Sequence, residues 1–334
     1  MKHIKLPKGF SIGHANNDHT GVTVILAADK TVGGVCVRGS APGTRETDLL
    51  KADKAVQEIN AIVLTGGSAF GLGACDGVVK FLSEQGIGFD VGKHKVPLVA
   101  GAVIFDLKDE LVYPTADMGY KACKNASDKN FKWGSVGAGT GATVGKILGP
   151  TFSQKSGIGA ITVEAGTGSL FEEQQVPSQN KQTSLKKVPI PIYCETTNVP
   201  FVTAITVCNA VGDVVDKTGQ IVAGVGAEGE DKKRQFVGAG NMILAGASGA
   251  SVGGNTTLTC LITNVKLDKL HANKLASIAH NGYAKSINPV HTDYDGDTVF
   301  ALSGGDVKLD FTALSIMAVE AVCESIVNAV KIEN

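Results

Sequence analysis

Apolar and polar positions along this chain follow two different periods. Runs of β-branched and apolar residues predict strands over residues 20–28, 33–38, 61–65, 157–163 and 200–207, and the apolar stretch 96–107 is also strand-like. The spacing of apolar positions predicts helices over residues 71–85 and 117–126. Because the segments 20–28 and 33–38 follow each other closely, we expect them to form a hairpin-like pair.

Strand and helix patterns alternate in the last part of the chain. They predict a strand over residues 257–264, a helix over 268–285, a strand over 298–302 and a helix over 310–331. Leu270, Leu275 and Ile278 are expected to form the apolar face of the first of these helices. Alternating layers of this kind indicate an α/β fold with helices outside sheets.

Composition limits the class of protein. The chain has 334 residues, of which 43% are apolar, enough for one large domain or two closely packed ones. The formal net charge of −1 predicts no basic surface for nucleic acid or an anionic membrane. The seven cysteines are scattered singly, which favours free thiols in a reducing compartment. With no apolar run expected to span a membrane and no signal-peptide core at the start, the sequence predicts a soluble, cytoplasmic protein.

Two segments lack regular periodicity. Residues 165–187 are polar and rich in Gln, Lys and Ser, and they are expected to form an exposed insertion loop. Residues 228–254 combine a charged patch with a Gly/Ala/Ser run, a composition typical of a flexible segment. The second of these segments ends at the stretch that carries the candidate chemistry.

That stretch is GGNTTLTCLIT, residues 253–263. Gly253 and Gly254 permit a tight turn, and a predicted strand follows at once, so Thr256 lies at its beginning. If the bond before Thr256 were cut, this residue would carry a free α-amine beside its hydroxyl, a nucleophile and a base in one residue. The same letters also fit an ordinary turn leading into a buried strand.

Other short motifs were tested against their physical requirements. The glycine loop at 137–146 fails as a P-loop because Thr140 and Ile147 stand at required positions, and as a dinucleotide motif it lacks a convincing preceding strand. The acidic stretch 291–297 fails as an EF-hand calcium loop, and a solvated turn is its simplest interpretation. His280 and His291 lack metal-ligand spacing and are expected to be structural. No metal site and no cofactor are expected.

Several strings carry a resemblance to a known family. GNTTLTCLITNV and HTDYDGDTVFA, together with RGSAPGTRETDLL, AIVLTGGSAFGLGACDGV and GAGTGATVGK, resemble the DmpA/NylC group of self-processing N-terminal-nucleophile hydrolases. The likeness is strongest to NylC-type nylon-oligomer hydrolases, which use Thr as nucleophile. The resemblance implies a four-layer αββα sandwich of the DmpA/ornithine-acetyltransferase type, formed by residues 1–334 as a single domain. It also implies cleavage between Asn255 and Thr256 into 1–255 and 256–334, and a homo-oligomer of such processed heterodimers.

The resemblance assigns roles to individual residues. It implies that Thr256 is the nucleophile, that Asn209 stabilises the oxyanion through its amide, and that Lys146 belongs to the site. Asp295 and Asp297 match the acidic pair that orients the nucleophile, and their spacing puts both on one side of an extended segment. A family tyrosine aligns with Phe105, which has no hydroxyl, and Tyr113 is a candidate substitute.

The expected function is therefore a self-processing hydrolase of short peptides or amide oligomers such as 6-aminohexanoate oligomers. Two alternatives within the same fold stay open: acyl transfer of the ornithine-acetyltransferase kind, and an unprocessed, non-catalytic homologue. A nucleotide-binding protein that uses the loop at 137–145 is an alternative from a different class.

Overall fold

The computed structural model describes residues 4–166, 198–229, 234–247 and 254–331. The predicted insertion loop at 165–187 lies outside the described residues from position 167 onward, as does the end of the predicted flexible segment at 248–253. The described residues form two large sheets covered by helices, together with several small sheets of two or three strands.

The strands are, in chain order, β1 (Ser11–Asn16), β2 (Gly21–Leu26), β3 (Val32–Val37), β4 (Thr44–Arg45), β5 (Ala61–Thr65), β6 (Phe89–Val91), β7 (His94–Val96), β8 (Val99–Val103), β9 (Thr143–Val144), β10 (Gln154–Lys155), β11 (Ile158–Glu164), β12 (Phe201–Asn209), β13 (Asp213–Val215), β14 (Ile221–Ala223), β15 (Gly226–Glu228), β16 (Arg234–Phe236), β17 (Thr256–Val265), β18 (Ile287–Asn288) and β19 (Thr298–Val307). The helices are α1 (Ala74–Glu84), α2 (Ala116–Lys124), α3 (Ala239–Leu244), α4 (Lys269–Ser286) and α5 (Phe311–Val330). Short 3-10 helices lie at Ser68–Gly73, Gly137–Gly139 and Pro150–Phe152.

Two five-stranded sheets form the centre of the molecule. The first has the strand order β1-β2-β5-β8-β4 and the second β11-β12-β17-β19-β3. Within them β5 and β8 are parallel, as are β17 and β19, and the other neighbours are antiparallel. Helices α1 and α2 cover the first sheet, and α4 and α5 cover the second. The order helix, sheet, sheet, helix confirms the predicted four-layer αββα sandwich.

Three apolar clusters hold these layers together. The inner faces of the two sheets share one buried cluster, to which the first sheet contributes Ile25, Ile62 and Leu64 and the second Leu258, Ile262 and Phe300. A second cluster joins the other face of the second sheet to α4 and α5, and a third joins the first sheet to α1 and α2. Because β17 is covered on both faces, it is buried along almost its whole length, and its sequence is a nearly continuous β-branched and apolar run.

Helix α4 approaches the second sheet closely through small residues. A Cβ atom on Gly34 of β3 would lie 2.4 Å from the main chain of Ala272, so this contact requires glycine in the strand. Leu275, Ala276 and Ala279 are fully buried on this face. Leu270 is 49% exposed, so its predicted place on the apolar face is wrong. Alanine and glycine at the contact bring the backbones closer than a leucine face would.

The predicted hairpin of residues 20–28 and 33–38 does not form. β2 pairs with β1 and β5 in the first sheet, whereas β3 pairs with β19 at the edge of the second. The five residues between them carry the chain from one layer to the other. The strand-like stretch 96–107 is also shorter than predicted, since only Val99–Val103 belongs to β8. Alternation indicates which residues are buried in a strand but does not identify its partner.

Helix α5 is long and apolar enough to cross a membrane by length and composition, so the expectation that no apolar run reaches that length is wrong. In this fold the helix packs against β11, β12 and α4. Of its most apolar window, 61% is buried inside the protein, as in the core helix of a sandwich.

Candidate active site

The candidate nucleophile lies at one end of the second sheet, at the first residue of its central strand. Thr256 begins β17, and the antiparallel register places Asn209, the last residue of β12, directly opposite it. On the other side Leu258 pairs with Thr298 in parallel register, so Asp297 lies just before β19 and beside Thr257. The ends of three neighbouring strands thus bring together residues that are distant in sequence.

The bond between Asn255 and Thr256 joins two buried residues. The Thr256 hydroxyl donates a hydrogen bond to the Asn255 carbonyl oxygen, which also accepts the main-chain N–H of Gly296 at 3.1 Å. A Cβ atom on residue 296 would lie 2.7 Å from Thr256 Oγ1, so glycine is what lets the hydroxyl lie against this turn. A fixed N–H donor polarises the carbonyl group and can stabilise the oxyanion that develops on its oxygen.

Lys146 contacts Gly254, the residue before Asn255. Its ammonium donates to the main-chain oxygen of Asn209 at 3.0 Å, to Asn209 Oδ1 at 2.8 Å and to the carbonyl of Gly254 at 3.2 Å. Burial lowers the pKa of Lys146 to about 7, although the nearby carboxyl of Asp295 acts in the opposite direction. This amine can therefore gain or lose a proton near neutral pH, next to the chain that would be cut.

The amide of Asn209 is oriented by its neighbours. Its Oδ1 accepts hydrogen bonds from Lys146 and from the main-chain N–H of Thr143 at 3.1 Å, which leaves Nδ2 to donate to the Phe105 carbonyl at 3.0 Å. In the uncut chain the main-chain donor to the Asn255 carbonyl is the Gly296 amide, whereas Asn209 Nδ2 donates elsewhere. The role of Asn209 as an oxyanion donor stays a prediction.

The two predicted acids lie on either side of Gly296 and are 1% exposed. Asp297 Oδ1 accepts the main-chain N–H of Thr257 at 2.7 Å, which ties this carboxyl to the residue after the nucleophile. Asp295 lies next to Asn255, with which it forms an isolated parallel bridge. Burial raises the pKa of Asp295 to about 6, and the charge of Asp297 adds to this shift. A carboxyl with this pKa can exchange protons at physiological pH.

The loop at 39–47, which follows β3, packs against the acids. The main-chain N–H of Ala41 donates to the Asp295 carbonyl at 2.9 Å, and that of Arg38 to the Asp297 carbonyl at 3.0 Å. A Cβ atom on Gly39 would lie 2.3 Å from the Asp295 carbonyl oxygen. This close packing places the loop against the two predicted acids.

A pocket of about 220 Å³ opens beside the Asn255 backbone. Its walls come from residues in three segments of the chain, 105–108, 141–153 and 254–255. Phe105 lines the pocket at the position of the family tyrosine. Tyr113, the candidate substitute, stacks on Phe70 with ring centroids 5.0 Å apart and is not among the lining residues.

Several residues that contribute to this site were not predicted from the sequence. Gly296 donates through its main chain, which leaves no signature beyond its place between two acids. His291, expected to be structural, holds Asp297, and Thr292 holds Asp295. Only the HTDYDGD string could have indicated these three, because its polar residues cluster around the two acids.

A further acid, Asp106, lines the pocket and was also missed. Its carboxyl accepts the Gly67 N–H at 2.7 Å, and burial raises its pKa. Its sequence context is an apolar stretch with a single acid, which carries no signal of a site.

The glycine loop at 137–146 has a structural task. The Gly137 and Ala138 amides donate to the side chains of Asn16 and Thr23, and the Gly145 amide donates to the Gly212 carbonyl. Amides that are already paired do not form a cradle for a phosphate. Within the described ranges, no group of three or more His, Cys, Asp and Glu side chains is arranged to hold a metal ion.

Comparisons with known proteins agree with this geometry. A profile of the family described as Peptidase family S58 matches residues 7–332. An uncharacterized aminopeptidase of Mycobacterium leprae is 36% identical over 88% of this chain and 73% of its own length. A 6-aminohexanoate-oligomer endohydrolase of a Kocuria species is 28% identical over 97% of this chain and 84% of its own length.

Two solved structures share the fold. The L-aminopeptidase D-Ala-esterase/amidase from Ochrobactrum anthropi, described as a variant of the Ntn hydrolase fold, superposes with a TM-score of 0.66 at 17% identity, covering 98% of this chain and 87% of that one. A Burkholderia β-aminopeptidase superposes with a TM-score of 0.62 at 19% identity, covering 97% of this chain and 84% of that one.

Proposed function

Because the chain belongs to peptidase family S58 and is a hydrolase of peptide or amide bonds, we propose that it is a self-processing enzyme whose nucleophile is Thr256. The observation that carries this proposal is the position of the Thr256 hydroxyl against the Asn255 carbonyl, which the Gly296 amide polarises. A buried carboxyl and a buried amine with pKa values near neutrality lie beside the same bond.

The self-cleavage step moves an acyl group from nitrogen to oxygen. Thr256 Oγ1 attacks the Asn255 carbonyl carbon, the bond from that carbon to the Thr256 nitrogen breaks, and the hydroxyl proton ends on the new α-amine. Gly296 is placed to stabilise the oxyanion, and Lys146 to hold the Gly254 carbonyl in place. Water then hydrolyses the ester and leaves a carboxylate on Asn255 and a free hydroxyl on Thr256.

The processed enzyme then uses the same residue on substrates. The α-amine of Thr256, whose ordinary pKa lies near 8, accepts the hydroxyl proton at neutral pH, so no remote histidine is required. We propose short peptides or amide oligomers such as 6-aminohexanoate oligomers as substrates. The similarity to an aminopeptidase and to a 6-aminohexanoate-oligomer endohydrolase supports this class, and a pocket of about 220 Å³ has room for a short unit beside the reacting carbonyl.

The two parts of the cut chain, 1–255 and 256–334, are proposed to stay together as one folded unit. β17, which begins at the cut, lies between β12 and β19 in the middle of the second sheet. Its register with β12 runs from Asn209↔Thr256 to Val202↔Thr263, so separation would expose a buried sheet. Assembly of such units into a homo-oligomer and a cytoplasmic location are further proposals, testable by light scattering and by cell fractionation.

The test is the intact mass of the purified protein, with denaturing electrophoresis, for the wild type and for Thr256→Ala. We expect two fragments from the wild type, the second beginning at Thr256, and one chain from the variant. Thr257→Val is a matched control, because valine keeps the shape of the side chain and the buried Thr257 hydroxyl, which lies near the Cys208 thiol, has no hydrogen-bond partner among the described residues. That control should cleave like the wild type.

Other outcomes separate the alternatives. A single uncut chain in both proteins would refute self-processing and favour a non-catalytic homologue. Cleaved protein that leaves 6-aminohexanoate oligomers and dipeptides intact but transfers acetyl groups to ornithine would favour an acyltransferase. Cleaved protein that hydrolyses the oligomers, with no activity in Thr256→Ala, would support the proposal.

A further inference from the structure

The two acids of the site are held by two consecutive residues that have no assigned role, His291 and Thr292. Asp297 Oδ2 receives both the main-chain N–H of His291 at 3.3 Å and His291 Nδ1 at 2.8 Å. Asp295 Oδ2 receives both the main-chain N–H of Thr292 at 3.0 Å and the Thr292 hydroxyl at 2.6 Å. Each acid is therefore bound through one oxygen by one main-chain donor and one side-chain donor of a single residue.

The backbone at His291 makes this arrangement possible. His291 has a positive φ of 55°, a left-handed conformation that few residues other than glycine adopt without cost. A left-handed residue beside a right-handed or turn residue directs successive N–H groups to the same side, where they bind anions. Here the two N–H groups bind two carboxyl groups of their own chain. His291, Thr292 and their four hydrogen bonds to the two acids together form a clamp.

The other carboxyl oxygen of each acid, Oδ1, is not bound by the clamp. Asp297 Oδ1 accepts the N–H of Thr257, the residue after the nucleophile. Asp295 Oδ1 is buried without a hydrogen-bond partner among the described residues, although the main-chain N–H of Val211 faces this carboxyl. A buried carboxyl oxygen without a partner is costly, and such sites are kept where chemistry needs them.

We propose that His291 and Thr292 are positioning residues for the reaction, which fix Asp297 and Asp295 by one oxygen each so that the other oxygen serves the Thr256–Thr257 backbone and the α-amine of Thr256. This inference rests on the proposed self-processing function. Hydrogen bonds from neutral donors stabilise the ionised form of a carboxyl, so the two Thr292 donors also extend the pH range in which Asp295 is charged.

Other titratable groups face the acids from every element around them. These groups are Lys146 after β9, Cys208 on β12, His280 and Tyr283 on α4, and Arg38 after β3, which acts on His280. They are the same in all the variants below, so they affect every pH profile equally. His291 is itself replaced in one pair, so its own contribution is measured by the difference between the wild type and His291→Asn.

The experiment compares two matched pairs of variants. His291→Asn keeps a side-chain N–H donor and tolerates a positive φ. His291→Gly also tolerates the positive φ and keeps the main-chain N–H, but it removes the side-chain donor. Thr292→Ser keeps the hydroxyl, whereas Thr292→Val keeps the shape and removes it. Each precursor is made by cell-free synthesis and transferred to buffers from about pH 5 to about pH 8.5, a range that spans the acid and amine pKa shifts of the site. The rate of conversion into two fragments is followed by intact mass.

We expect His291→Gly and Thr292→Val to slow conversion at least about tenfold, because each acid loses a donor that fixes its position. Thr292→Val should also move the acidic limb of the pH–rate profile upward by about one unit, because Asp295 loses a donor to its ionised form. His291→Asn and Thr292→Ser should keep the limb of the wild type. Melting in a Thr256→Ala background measures any loss of stability separately. If His291→Gly fails to fold, the threonine pair carries the test.

Two results would overturn the inference, and they are distinguishable. If the wild type converts but all four variants keep its acidic limb, or the conservative and disruptive members of each pair shift alike, His291 and Thr292 only support the fold. If the wild-type precursor never converts, the proposed function fails and the inference fails with it.

Discussion

Replacing Asp295 by asparagine should change the pH dependence of the stability of the uncut chain. Asp295 is 1% exposed, and burial raises its pKa from 3.8 to about 6. A carboxyl whose pKa is higher in the folded chain stabilises it below pH 3.8, and this contribution is lost as the pH rises through 6. The active-site acid therefore lowers the stability of the folded chain at neutral pH.

The magnitude follows from the shift. The difference between 3.8 and about 6 corresponds to a loss of about 3 kcal/mol over the whole window, of which about 2 kcal/mol falls between pH 4 and pH 7. The asparagine of the variant would keep an acceptor for Thr292 but bury an amide group where Asp295 Oδ1 has no partner among the described residues, at a cost of about 1–3 kcal/mol. That cost does not depend on pH, so it cancels when the two proteins are compared across pH values.

The assay is urea unfolding of Asp295→Asn and its parent, both in a Thr256→Ala background so that neither chain can be cut. Relative to the parent, the asparagine variant should gain about 2 kcal/mol in free energy of unfolding between about pH 4 and about pH 7. Asp293→Asn, which removes a carboxyl from the same loop, is the control and should differ from the parent by less than about 0.5 kcal/mol. A difference between Asp295→Asn and the parent that stays constant across this range would refute the reasoning.

Three further predictions concern neighbouring groups. Gly296→Ala should block self-cleavage, since its Cβ would lie 2.7 Å from Thr256 Oγ1, while the chain still folds. Intact mass measures the cleavage, and circular dichroism measures the folding. Lys146→Met should slow cleavage about 100-fold or more, as measured by intact mass. Because the pKa of Lys146 falls from 10.5 to about 7 in the folded chain, the stability of this variant relative to the parent should be most favourable below pH 7 and should decline towards pH 10.5, as measured by urea unfolding. Tyr283→Phe, which removes a hydroxyl bonded to the Thr257 and Thr298 carbonyls and to Thr259 Oγ1, should cost about 1–2 kcal/mol in urea unfolding.

Much of the fold could be predicted from local pattern. The segment Ala61–Thr65 is a strand as predicted, and the predicted helices at 268–285 and 310–331 agree with Lys269–Ser286 and Phe311–Val330 within a residue or two. The layer order came from family resemblance and is confirmed. The pairing of strands was predicted less well, because the sequence of a buried strand does not indicate which sheet it joins; β2 and β3, for example, lie in different sheets.

For the candidate site, too, part could be predicted from the sequence and part depends on the tertiary structure. The sequence by itself placed Thr256 after a glycine turn at the start of a predicted strand, and its resemblance to the family then implied that Thr256 is the nucleophile and that Asp295 and Asp297 are the two acids. Only the tertiary structure decided that Lys146 reaches the Gly254 carbonyl, that Gly296 donates to the Asn255 carbonyl, and that His291 and Thr292 clamp the acids. The physical reason is that main-chain donors are identical at every position and gain a role only through register and turn geometry.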